Sequence, residues 1–120
     1  MKPMISMKRS EIWQVNLDPS IGQEIQKTRP CVIVNDDLVG ILSLKVIVPL
    51  TEWKERYQAA AWMVRIEADS VSGLTKLSAA DCFQLRSLST ARLVKKTGEL
   101  SETEMNRIET ALKVVLKINM

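Results

Sequence analysis

The hydrophobic period of this chain changes once, and that change restricts its fold more than any other feature. From Ile12 to Leu17 apolar and polar residues alternate, with Trp13, Val15 and Leu17 on one face. That is the two-residue period of a half-buried strand. After Ser101 the apolar positions become Met105, Ile108, Leu112, Val115 and Leu116, the spacing of one helical face. Ser101-Glu-Thr-Glu104 opens this segment as a capping box, with Ser101 as N-cap and Glu104 three residues on. Glu102 and Glu104 lie at its start, Lys113 and Lys117 at its end, as the helix dipole favours. A helix over about 102–117 is expected, its apolar stripe facing a core or a partner.

Between these two regions the signals are short strands and breakers. Strands are expected at 31–34, 44–50 and 61–68, with one or two more in 76–87. Asp18-Pro19-Ser20 ends the first strand, and residues 21–29 read as a polar loop. Pro49 places the end of the third strand at an edge or a bulge. Residues 53–58 read as a polar loop or short helical turn, and Ser70-Val-Ser-Gly73 and Lys95-Lys-Thr-Gly98 as turns. The expected class is mainly β (α+β): a small β-barrel closed or covered by one C-terminal helix, in a single domain over 1–120. Met7-Lys-Arg-Ser-Glu-Ile-Trp13 reads as a second beginning, so residues 1–6 are expected to be an extension.

Composition narrows the chemistry. The chain contains no histidine. This removes Ser-His-Asp triads, Cys-His dyads and paired-histidine acid–base catalysis. It also removes the commonest zinc ligand, and Cys31 and Cys82 alone cannot complete a structural zinc site. No metal and no cofactor are expected. Cys31 lies in the apolar run Pro30-Cys-Val-Ile-Val34 and reads as a buried free thiol. The formal net charge of +3 is compatible with a polyanionic partner without requiring one. No apolar run reaches the roughly 18–20 residues of a membrane span, and with no apolar stretch after the basic residues of Met1–Arg9 a secretory signal is not expected. A cytoplasmic location with no membrane partner is expected.

Catalysis in such a chain falls to carboxylates, arginine, lysine or hydroxyls. The loop 21–29 concentrates them, with Gly22, Glu24, Lys27 and Arg29 between two strands. Residues 8–35 carry Glu11-Ile-Trp13, Asp18-Pro19, Gly22-Gln-Glu24 and Arg29-Pro30 ahead of an apolar strand. This combination closely resembles the opening of the MazF/PemK family of toxins from toxin–antitoxin systems. The resemblance continues through Val48-Pro-Leu-Thr51, Phe83-Gln-Leu-Arg86, Arg92-Leu93 and Gly98-Glu-Leu-Ser101.

The resemblance implies an SH3-like barrel with a C-terminal helix, a homodimer, and sequence-selective cleavage of single-stranded RNA, typically messenger RNA. It also implies a cognate antitoxin of the MazE/PemI kind lying across the dimer groove. Glu24 matches the family's loop glutamate, Arg29 the arginine before proline, and Thr51 the threonine ending the third strand. These three are the expected catalytic set. Gln84 matches the glutamine of the later motif, as a support of the site or a substrate contact, and Gly22 the loop glycine. Gln23 stands where serine is usual and Phe83 where an acidic residue is common. Gly22, Gln23, Lys27, Trp53, Gln84 and Arg86 are the expected RNA-binding residues, Trp53 as a base-stacking surface.

Metal-free RNA cleavage by the ribose 2′-OH needs a base, a proton for the leaving 5′ oxygen, and donors for the added negative charge. Glu24 is the only acid in the loop and so the candidate base. Arg29 offers a planar fork of donors for phosphate oxygens, and Thr51 a hydroxyl. The products would be a 2′,3′-cyclic phosphate and a 5′-OH. Two alternatives stand beside this. One is a CcdB-like gyrase poison, which is expected to depend on a terminal Trp-Gly-Ile where this chain has Lys117-Ile-Asn-Met120. The other is an inactive family member that only binds RNA or protein.

Overall fold

The computed structural model describes residues 6–39 and 43–119. Most of the expected N-terminal extension, residues 1–5, lies outside the described residues. Seven strands precede one helix: β1 (Glu11–Asn16), β2 (Thr28–Ile33), β3 (Leu44–Glu52), β4 (Met63–Ile66), β5 (Ser78–Asp81), β6 (Arg86–Ser89), β7 (Leu93–Glu99) and α1 (Glu102–Leu116). All pairings are antiparallel, in the order β4-β5-β3-β2-β1-β7, with β6 also on β3.

The sheet curls without closing, so the expected barrel is only barrel-like. No ladder joins β4 to β7. The turn after β4 bridges them instead: Glu99 N–H donates to the Val71 carbonyl at 3.0 Å. Backbone meets backbone there. A Cβ on Gly98 would stand 2.2 Å from the Ser72 carbonyl oxygen, and one on Gly73, at φ +70°, 1.9 Å from that of Thr97. Both positions need glycine because the approach leaves no room for a side chain.

Both faces of the curled sheet are buried. Ile12, Val32, Val48, Leu50, Val64 and Ile66 pack under Met105, Ile108 and Ala111 of α1. On the other face Trp13, Val15, Leu17, Cys31, Ile33, Ile47, Leu88 and Leu93 form a second cluster. The alternation expected for β1 is present, yet the strand is not half-buried. Ile12 is fully buried because the helix covers its face.

The helix follows its sequence signals. The Ser101 hydroxyl accepts the Glu104 N–H at 3.2 Å, and Glu104 Oε1 accepts the Ser101 N–H at 3.0 Å. Lys117 ends it in the left-handed region, at φ 56°. Residues 95–98, expected as a turn, instead belong to β7, which pairs with β1 through two register shifts. Charged residues and bulges of this kind protect an edge strand from further pairing. Pro49 lies inside β3, not at its end. Along one edge β3 pairs with β6 up to Ile47 and with β5 from Leu50. Proline falls where that ladder is interrupted and a missing N–H is tolerated. The short 3-10 turn Cys82–Gln84 joins β5 to β6 across this gap.

Candidate active site

The interruption at Pro49 opens a cleft. About 660 Å³ in volume, it is lined by Leu17, Gln23, Glu24, Ile25, Pro49, Asp81, Phe83, Gln84, Leu85 and Arg86. The loop before β2 forms one wall and the 82–84 turn the other. Glu24 is exposed, and its Oε1 accepts the Ile21 N–H at 2.6 Å. That leaves Oε2 without a partner among the described residues. Gly22 adopts φ +61° with open space around its Cβ position, so glycine serves the turn's conformation and not a close approach. Lys27 is exposed at φ 69°, its N–H donating to Asp18 Oδ1 at 3.1 Å.

Gln84 ties the two walls together. Its Oε1 accepts the Ile25 N–H at 2.7 Å, and its Nε2 donates to Asp81 Oδ2 at 3.1 Å and to the Gln23 carbonyl at 3.4 Å. The sequence reading missed Asp81, which supplies a buried carboxylate to this wall two residues before Phe83. Burial raises its pKa, against the opposing effect of hydrogen bonds from the Phe83 N–H and from Gln84. The available signal was its place at the head of a polar turn, where a short side chain caps backbone N–H groups. Arg86 is half-buried, and its Nη1 donates to the Leu17 carbonyl at 3.3 Å.

Arg29 and Thr51 line a second pocket, with Pro30, Leu50, Glu52, Lys76 and Ser78 among its walls. Arg29 is not a loop residue. It lies in β2, where it pairs with Val15 of β1. On the other side the ladder to β3 ends at Cys31 and Pro49, and just past that end Arg29 and Thr51 become walls of the same pocket. Arg29 Nε donates to the Gln26 carbonyl at 3.3 Å. Its two terminal nitrogens have no partner among the described residues. Lys76, which the sequence reading passed over, adds a second cation to this pocket. Within one chain the three expected catalytic residues are thus divided: Glu24 in the first cleft, Arg29 and Thr51 in the second.

Trp53 is half-buried, with the Arg65 guanidinium 5.8 Å from its ring centroid and Tyr57 packed edge-on at 6.0 Å. Both cysteines are buried free thiols pushed up to about 12 by burial. Among the described residues no three histidine, cysteine or carboxylate side chains gather as a metal site would require, and no helix is long and apolar enough to cross a membrane.

Residues 8–116 match the family model of PemK-like, MazF-like toxins of type II toxin–antitoxin systems. The chain belongs to this family. Among its relatives, endoribonuclease MazF9 of Mycobacterium tuberculosis is 32% identical over 118 residues, covering 93% of this chain and 98% of the relative. Endoribonuclease PemK of Escherichia coli is 33% identical over 112 residues, covering 92% and 82%. The fold is shared with MazF of Deinococcus radiodurans, at TM-score 0.79 and 17% identity over 96% of this chain and all of that one. It is shared too with a mycobacterial endoribonuclease solved in complex with its cognate antitoxin, at TM-score 0.76 and 19% identity over 96% and 99%. The family match spans both clefts, from the loop before β2 to the end of β6 and beyond.

Proposed function

We propose that this chain is an endoribonuclease toxin that cleaves single-stranded messenger RNA at a short recognition sequence, without a metal, and so halts translation. The observation that carries the reading is that Arg29 and Thr51 line one pocket in a chain that belongs to this family. A guanidinium with free terminal nitrogens and a neighbouring hydroxyl suit the non-bridging oxygens of a phosphodiester. Arg29 stabilises the charge that grows on phosphorus as the 2′-OH attacks, and Thr51 donates to the same oxygens. Glu24 is assigned the 2′ proton through its Oε2, which requires the Glu24 loop to meet the phosphate held in the Arg29–Thr51 pocket. With no histidine in the chain, a carboxylate is the base available near neutral pH.

The P–O5′ bond breaks as the 2′ oxygen bonds phosphorus, and the leaving 5′ oxygen takes a proton from Arg29, whose second role is the acid and which solvent reprotonates, leaving a 2′,3′-cyclic phosphate and a 5′-OH. Gly22, Gln23, Lys27, Gln84 and Arg86 shape the RNA path around Glu24, with Trp53 beyond Thr51. We place the protein in the cytoplasm as a homodimer, held in check by an antitoxin whose acidic segment lies where RNA would lie.

The test is to incubate purified protein with a long RNA in EDTA and to map the ends. Cyclic phosphate ends at a repeated short sequence are expected, with Glu24→Gln abolishing cleavage and keeping RNA binding. Cutting by Glu24→Gln at the wild-type rate would remove Glu24 as base. Intact RNA together with gyrase inhibition would replace the reading with a CcdB-like poison.

A further inference from the structure

The chain has five aromatic residues, and only Trp13 is in the core. The other four lie in two edge-to-face pairs. Trp53 and Tyr57 stand 6.0 Å apart at an interplanar angle of 79°, Trp62 and Phe83 6.2 Å apart at 61°. The first pair is occupied, with Arg65 over Trp53 and Arg56 5.4 Å from the Tyr57 ring centre. The second pair is open. Phe83, the chain's one phenylalanine, is 72% exposed, and Trp62 is 41% exposed.

Backbone geometry fixes this second pair. Cys82 N–H donates to the Trp62 carbonyl at 3.0 Å, and Met63 pairs with Asp81 across β4 and β5. The two rings therefore sit on neighbouring turns, one leading into β4 and one leaving β5. Phe83 also lines the cleft that holds Glu24 and Gln84. On the far side Trp62 shares a shallow pocket with Arg56 and Tyr57. Arg56 has no carboxylate partner among the described residues, whereas Arg65 is paired with Glu67 at 3.2 Å.

We propose that Trp62 and Phe83 form a base-stacking platform, on which a nucleobase of single-stranded RNA lies as the strand leaves the Glu24 cleft, with Arg56 neutralising the next phosphate. The proposal deepens the nuclease reading and rests on it for the identity of the strand. Exposed rings beside a guanidinium that has no carboxylate partner among the described residues, continuous with a polar cleft, are the surface that single-stranded nucleic acids use. Two side chains make too small an apolar patch for a protein interface, which needs several hundred Å² of its own. Phe83 occupies the position where the family resemblance leads one to expect an acid. A ring there gives the strand a contact insensitive to base identity.

The test uses a short single-stranded 2′-O-methyl oligonucleotide of randomised sequence, which binds but offers no 2′-OH to attack. Phe83→Ala and Trp62→Ala are each expected to weaken binding about ten-fold. Phe83→Tyr should bind as wild type, and Phe83→Leu should resemble Phe83→Ala, because leucine keeps apolar bulk and lacks the π face. Wild-type binding by Phe83→Leu, or by both alanine variants, overturns the platform. Phe83 is mostly exposed, so its variants should melt with the wild type. Wild-type cleavage of unmodified RNA is measured alongside. Wild-type cleavage with no effect of the alanine changes rejects the platform alone. Absent cleavage with the binding losses intact rejects the nuclease and keeps the platform.

Discussion

Gln84 accepts the backbone N–H of Ile25 at 2.7 Å across 59 residues of sequence, so the loop that carries Glu24 is moored to the turn between β5 and β6. The amide has one workable orientation. Ile25 offers only a donor and the Asp81 carboxylate only an acceptor, so Oε1 faces the first and Nε2 the second. Replacing Gln84 by alanine is expected to loosen the loop and lower the rate of RNA cleavage about ten-fold, since misplacement of a catalytic group by an ångström costs that much or more. Gln84→Glu is the sharper variant. It still accepts from Ile25 but faces Asp81 with a like charge, and one carboxyl of such a pair is forced to keep a proton. Its cleavage rate relative to wild type should recover as pH falls. A Gln84→Glu rate matching wild type across the pH range would show that the mooring does not matter.

Arg29 and Thr51 should fail in different degrees. Arg29→Ala removes the charge and the fork together, and about a 10²- to 10³-fold loss of single-turnover rate is expected, the usual cost of deleting a donor to a developing oxyanion. Arg29→Lys keeps the charge without the fork and should recover only part of it. Thr51→Ser should be near wild type and Thr51→Val down by about ten-fold, because the hydroxyl acts through a single hydrogen bond. Equal rates for Thr51→Val and wild type would remove the hydroxyl from the chemistry.

How much of this was legible in the sequence depended on whether the deciding interaction was local. The helix was readable to within a residue because its cap, its apolar stripe and its dipole charges all lie inside one segment. Trp13, Val15 and Leu17 were readable as one face for the same reason. β7 was misread at Lys95–Gly98 because its sheet partner, β1, lies some 80 residues earlier, and two register shifts blur its alternation. Arg29 was read as a loop residue because the ladder that draws it into β2 is also non-local. At the site, residue types and motif spacing named Glu24, Arg29, Thr51 and Gln84. They could not tell that the first stands in one cleft and the next two in another. Nor could they show Lys76 beside Arg29, which only the fold brings together, whereas Asp81, three residues before Gln84, was within local reach as the cap of the 82–84 turn.

The two ends of α1 give stability predictions of opposite sign. Ser101→Ala deletes the hydroxyl that accepts the Glu104 N–H and should cost about 1 kcal/mol. Lys117 holds a left-handed conformation that a side chain disfavours, so Lys117→Gly should gain about 1 kcal/mol. Chemical denaturation of both variants with unchanged m-values checks the pair. Loss of stability in Lys117→Gly would mean that the lysine side chain contributes more than its backbone conformation costs.

Glu11 links acid sensitivity to the joint between β1 and β7. The carboxylate is buried, and burial alone raises its pKa. The Lys8 N–H at 2.9 Å, the Trp13 indole N–H at 3.0 Å and the Lys96 ammonium at 3.1 Å outweigh that and hold it below its ordinary 4.5. A carboxyl with a lower pKa folded than unfolded binds its proton more readily in the unfolded chain. Its contribution is therefore complete above the ordinary carboxylate range and is lost as pH falls through the folded-state value. Asp81, whose pKa burial raises, acts in the opposite sense, favouring the folded state as it gains a proton. Lys96→Met should lower stability at neutral pH and flatten its decline in acid, because Glu11 loses its counter-charge. Glu11→Gln should also be less stable than wild type at neutral pH, with the gap closing as pH falls through the lowered folded-state value of Glu11. Thermal unfolding of the three proteins from pH 7 to pH 3 reads this directly. A gap between Glu11→Gln and wild type that stays constant over that span would show that the Glu11 charge adds nothing to the fold.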